Sequence, residues 1–238
     1  MIAWAVHVVT ILALRLWLMF SADSWRRLPR PIDEPYVWID GPDPDRVLVV
    51  GSGAVVGYGV LSYRLSVSGE LGRMVAERTG RGADLTLVVG PDLSITRCRR
   101  RLDAIPLAGY DTVLLSVGSL DALLLIPIPR WTRELGLLLD LVQARTSGSV
   151  PVLLQAIPPL LALVQLPRPY RAAIDRRYRA LNRVSERLAS DRPGVSYLRF
   201  DPPAVDLIAN AGRQVHTVWA RILAPAVSAA LGERRDTP

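Results

Sequence analysis

The 238-residue chain is half apolar, enough for one large domain or a domain with an appendage, and its net charge is +7. All of its basic residues are arginine, so the charge is discounted as a nucleic-acid signal, and there is no aromatic-basic interleaving of the kind RNA platforms use. The single cysteine, Cys98, excludes an internal disulfide and a cysteine-based zinc site, and two histidines, His7 and His216, argue against a histidine-rich metal site.

Met1–Phe20 is nearly continuous apolar sequence, broken by His7, Thr10 and Arg15. About 20 such residues suffice for a helix across a bilayer. No basic segment precedes the run and no small-residue cleavage site follows it, which argues against a cleaved signal peptide. Trp4, Trp17 and Trp25 sit near its ends, as interface anchors do. Arg26, Arg27 and Arg30 follow, and by the positive-inside rule they keep the downstream domain cytoplasmic. Residues 1–25 are therefore expected to be a membrane-associated helix, spanning or lying in the plane. The competing expectation is a helix buried against the domain or against a partner subunit. Residues 26–45 carry five prolines between Leu28 and Asp45 and are expected to be an extended linker. The folded domain is then expected over 46–238.

That domain opens with RVLVVGSGAVVGYGV, Arg46–Val60. Val47–Val50 predicts a short buried strand of the parallel-sheet kind, and Gly51, Gly53, Gly57 and Gly59 predict a tight loop. Leu61–Thr79 has the spacing of an amphipathic helix. Further strands are expected at Ala83–Val89, Asp111–Val117, Pro151–Ile157 and Val195–Phe200. Helices are expected at the arginine run 97–101, at Arg130–Thr146, at Tyr170–Ser190 and at Ala211–Leu231. This alternation predicts an α/β fold with a doubly wound parallel sheet.

In their order, these landmarks resemble the SGNH (GDSL) hydrolase family, in its subgroup with a hydrophobic N-terminal segment, over roughly Arg46 to Leu231. VLVVGSGAVVGYGV resembles the first block, where a strand runs into Gly-Asp-Ser. YDTVLLSVGSLDA resembles the third block, a strand ending in Gly-x-Asn-Asp, and LLQAIPPL the next strand with its Pro-Pro turn. RPGVSYLRFD and the helix around Trp219 resemble the surroundings of the last block, Asp-x-x-His. The resemblance implies a flavodoxin-like three-layer α/β/α fold with a central parallel sheet.

It also implies a serine nucleophile, a histidine base oriented by an acid three residues earlier, and an oxyanion hole. Carried over residue by residue, that machinery is missing. The serine position falls on Gly53, the third-block asparagine on Leu120, the histidine on Asn210 and its acid on Leu207. Gly118 and Asp121 are kept, and the second-block glycine falls near Gly90. What remains is a vestigial oxyanion region of Gly53, Gly90, Gly118 and Asp121. Glycine has no nucleophile and leucine no side-chain donor. The resemblance thus implies a degenerate member, a pseudoenzyme acting as a membrane-associated binding or scaffold subunit.

The alternative is an active carboxylic-ester hydrolase with a displaced constellation: Ser52 as nucleophile, His216 as base, Asp206 as orienter. The bland readings are a turn hydroxyl for Ser52 and a helix-packing or surface imidazole for His216. A further alternative is a nucleotide-binding Rossmann-like protein, because Gly51, Gly53 and Gly57 follow a strand as phosphate-binding glycines do. The confirming acid should end the second strand about 20 residues on, but that strand ends near Val89 and Asp92 lies about twice as far along. Without lysine there is no P-loop. No cofactor and no metal are expected. The expected partners are a membrane and an acyl or lipid ligand or a membrane-complex subunit, with no nucleic acid. The apolar stretches Leu123–Pro129 and Leu160–Pro167 would border a cleft or simply pack.

Overall fold

A computed structural model describes residues 28–158, 168–200 and 213–236. The apolar segment read over residues 1–25 and the stretch Leu160–Pro167 lie outside them.

One sheet runs through the domain in the order β1-β3-β2-β4-β5-β6. Its strands are β1 (Tyr36–Ile39), β2 (Asp45–Gly51), β3 (Ala83–Val89), β4 (Thr112–Ser116), β5 (Val152–Gln155) and β6 (Val195–Leu198). Strands β2 to β6 are parallel, and β1 lies antiparallel on the outer edge of β3. The helices are α1 (Val67–Thr79), α2 (Ile95–Leu102), α3 (Ser119–Leu123), α4 (Ile128–Thr146), α5 (Arg168–Ser190) and α6 (Arg213–Asp236). The chain steps from β2 outward to β3, then crosses back to β4 on the other side of β2. This is the flavodoxin-like winding order, and it opens a crevice at the carboxyl ends of β2 and β4.

The strand sequences follow from burial on both faces. Along β2, Val47 and Val49 pack among Leu71 and Val75 of α1 and Trp219, Leu223 and Val227 of α6. Leu48 and Val50 point the other way, into a cluster with Ile95, Cys98, Trp131, Leu135 and Leu181. A strand covered on both sides needs an unbroken apolar run, and this is why Val47–Val50 reads as one. Leu114 against Val113 and Leu115, and Leu153 against Val152 and Leu154, repeat the division. The sheet is thus the middle of three layers.

Local signals fix the ends of α1. The Ser66 hydroxyl accepts from the Ser68 amide at 3.2 Å, and Gly80 closes the helix at φ 69°. Beyond β5, the Asn182 side chain of α5 brackets Ile157. Its Oδ1 accepts from the Ile157 amide at 2.8 Å, and its Nδ2 donates to the Ile157 carbonyl at 2.9 Å.

The segment expected to be an extended linker up to Asp45 is largely built into the domain. Tyr36–Ile39 forms β1, with Val37 buried beneath it. Before it, the Gly59 amide donates to the Pro29 carbonyl at 2.8 Å and the Ile32 amide to the Leu61 carbonyl at 3.3 Å. The Asp33 carboxylate accepts from the Ser62 hydroxyl at 2.6 Å and from the Tyr63 amide at 3.1 Å. Asp45 itself is fully buried and held by the Arg81 guanidinium at 2.7 and 2.9 Å. Prolines break helix here, yet an edge strand needs few backbone partners and tolerates them nearby.

Among the described residues, one stretch, Val215–Arg234 of α6, is long and apolar enough to cross a membrane. Half of it is buried inside the domain, along the stripe Trp219, Leu223, Val227 and Leu231. That stripe repeats every four residues and is the core-facing side of a packed helix.

Candidate active site

The crevice at the switch point is built from three loops, one after each of β2, β3 and β4. They are tied to one another through the backbone. The Ser52 amide donates to the Ser116 carbonyl at 3.0 Å, and the Gly90 amide donates to the Gly51 carbonyl at 3.2 Å. The register Gly51↔Ser116 between β2 and β4 then sets residue 53 against residue 119.

Gly53, onto which the sequence resemblance carries the nucleophile position, is held at φ 77°. That is the left-handed region, which side chains with a Cβ rarely adopt. An ideal Cβ placed on it would lie 2.7 Å from the Ser119 hydroxyl oxygen and 3.1 Å from the Ser119 Cβ. A side chain at 53 would thus meet both backbone strain and an occupied space. Ser119 comes from a different strand's loop and opens α3; it is buried. The sequence reading missed it, because nothing along the chain links positions 53 and 119.

Ser52 is buried, and its hydroxyl finds no partner among the described residues. His216, in the first turn of α6, is also buried. Its Nε2 lies 3.1 Å from the Tyr58 carbonyl, so Nε2 carries the proton and donates. Its Nδ1 has no partner among the described residues. Burial pulls this imidazole below its usual pKa, against the Tyr58 bond and the nearby Glu70 charge, which both raise it. The structure therefore does not join Ser52 and His216 by a hydrogen bond. Asp206, Leu207 and Asn210 lie outside the described residues.

The residues expected to form a vestigial oxyanion region have the following surroundings. The Gly90 amide is used by Gly51. Leu120 is buried and brings only carbon to the third-block position. Gly118, at φ 98°, faces Trp131 and Ile157 so closely that a Cβ would come within 2.7 Å of both side chains. Asp121 is buried, and its carboxylate accepts from the Ile95 amide at 3.0 Å, which pins the start of α2 to α3. Burial raises its pKa to about 6, against the Ile95 bond, which lowers it. Desolvation, with the Asp121 charge second, pushes the Cys98 thiol to about 12, which leaves it inert as a nucleophile. The stretch Leu123–Pro129 sends Leu123, Leu125 and Ile126 into the core, and Ile128 is exposed.

No family model matches the chain, and no curated protein matches it. Solved structures do. A lipase/acylhydrolase from Enterococcus faecalis superposes at TM-score 0.58 and 12% identity, over 78% of this chain and 96% of that one. TesA superposes at 0.59 and 17% identity, over 78% and 99%. The lipase Lip_vut3 from a goat rumen metagenome gives 0.59 at 12% identity, over 76% and 97%. These likenesses establish the SGNH-hydrolase fold for this chain, and at such identities they establish the fold alone.

Proposed function

We propose that this SGNH-fold chain is catalytically silent and serves as a membrane-associated binding or scaffold subunit, with an acyl or lipid group as the ligand of its cleft. The observation that carries this reading is at residue 53. The place of the nucleophile holds a glycine at φ 77°, and the space its side chain would enter is filled by Ser119. Acyl transfer requires a hydroxyl aligned with a base and an amide pair aimed at the developing oxyanion. Here the buried Ser52 hydroxyl has no hydrogen-bond partner among the described residues, His216 Nε2 is engaged by Tyr58, and the Gly90 amide is engaged by Gly51. Apolar sequence at Met1–Phe20 supports the membrane part of the proposal.

The test is p-nitrophenyl acetate and p-nitrophenyl octanoate turnover by the purified full chain in mild detergent. No turnover above the rate with Ser52→Ala is expected. Turnover that Ser52→Ala or Ser119→Ala abolishes would contradict the proposal and identify the working hydroxyl.

A further inference from the structure

We infer that the crevice end of the domain rests on the lipid surface, with Ile32 and Leu61 entering the interface and Arg30 and Arg64 beside them. The inference rests on the membrane association proposed above, and it adds which face meets the bilayer.

Ile32 is 88% exposed and Leu61 60%, the two most exposed large apolar side chains among the described residues. The Ile32 amide bonds the Leu61 carbonyl, so the two positions adjoin. Arg30 and Arg64 are exposed next to them in sequence. The acids nearby are Asp33, engaged by Ser62 and Tyr63, and the exposed Glu34.

This patch lies at one end of the molecule. Leu61 belongs to the loop leaving the carboxyl end of β2, which is the crevice end. Strand β1 enters from that side, because Ile39 pairs with Ala83 at the start of β3, Tyr36 with Thr86 at its middle, and the Leu87 amide donates to the Pro35 carbonyl beyond. The chain therefore joins the domain at the crevice, pinned by the Pro29–Gly59 and Ile32–Leu61 bonds. Pro31 also packs where a Cβ on Gly57 would lie, 2.8 Å from its Cγ. From Phe20, the end of the apolar run, to Leu28 is eight residues, a reach of at most about 28 Å. A lipid-bound run on so short a tether, fixed at the crevice end, brings this face and not the opposite one to the bilayer. Exposed aliphatic side chains flanked by arginine suit an anionic interface.

The experiment places an environment-sensitive fluorophore on the full chain at Leu61→Cys, at Ile32→Cys and at Ala144→Cys. Ala144 is exposed near the far end of α4, and the native Cys98 is buried. Each protein is mixed with vesicles of phosphatidylcholine and phosphatidylglycerol and floated. Emission is then read with and without nitroxide-bearing lipid. The expected result is flotation of all three, with a blue shift and loss of emission at positions 61 and 32 but not at 144. Flotation with positions 61 and 32 no more quenched than 144 would overturn the inference and leave membrane association standing. Absence of flotation would overturn both.

Discussion

The proposed silence of the crevice turns on residue 53. A family nucleophile needs a Cβ that aims its hydroxyl outward, whereas Gly53 is held at φ 77° with the Ser119 oxygen in its path. Gly53→Ser is therefore expected to destabilise the fold by about 1–3 kcal/mol, the cost of a strained backbone. It is also expected to confer no ester turnover. Urea unfolding and the p-nitrophenyl assay on that variant check both parts. Asp121 gives a second prediction at this scale. Its folded pKa of about 6 lies above the ordinary 3.8. The fold thus favours the protonated carboxyl. That contribution is whole below pH 4 and is lost as pH rises through about 6, by about 3 kcal/mol at 1.4 kcal/mol per unit. Asp121→Asn keeps an acceptor for the Ile95 amide. The variant should lose this slope between pH 4 and 6 and be more stable than the parent at pH 8. Unfolding free energies measured across that range would test it, and an unchanged slope would assign it to another group. At this scale the sequence pointed to Gly53, because a missing side chain is visible in a motif. It did not name Ser119, whose place depends on strand pairing between distant segments.

At the scale of elements, the parallel strands were legible because burial on both faces demands unbroken apolar runs. Val47–Val50 and Val113–Leu115 meet that demand over their whole length. Strand β1 was not legible. It buries one face, alternating exposed Tyr36, buried Val37 and exposed Trp38, and prolines stand close on both sides. Four residues of alternation amid turn signals read as linker. The consequence is a prediction about boundaries. A chain beginning at Arg46 loses the buried Val37, uncovers the edge of β3, removes the Asp33 bonds and leaves Arg81 without the buried Asp45. Burial of Val37 alone is worth about 2 kcal/mol. Such a chain should unfold at markedly lower urea concentration than one beginning at Leu28, and should aggregate through the open β3 edge. Equal midpoints for the two would show that β1 adds nothing.

For the whole molecule, the sheet order and the crevice at its switch point are those of a hydrolase fold. The loops at the carboxyl ends of β2, β3 and β4 are tied to the neighbouring strand ends through the Ser52–Ser116 and Gly90–Gly51 backbone bonds. A scaffold can lose its reactive groups and keep its crevice, because packing and strand pairing do not depend on the nucleophile. The sequence carried the fold through the order of its strands and glycines. It could not carry the state of the crevice, which is a matter of contacts between residues 51 and 90, 52 and 116, and 53 and 119.

A catalytically silent crevice, as proposed, holds no activated hydroxyl. The most direct measurement is labelling of the folded full chain with a fluorophosphonate probe, followed by peptide mapping. No adduct is expected at Ser52 or Ser119 at probe concentrations that fully label a working serine esterase. A stoichiometric adduct on either serine, lost when the chain is unfolded beforehand, would contradict it.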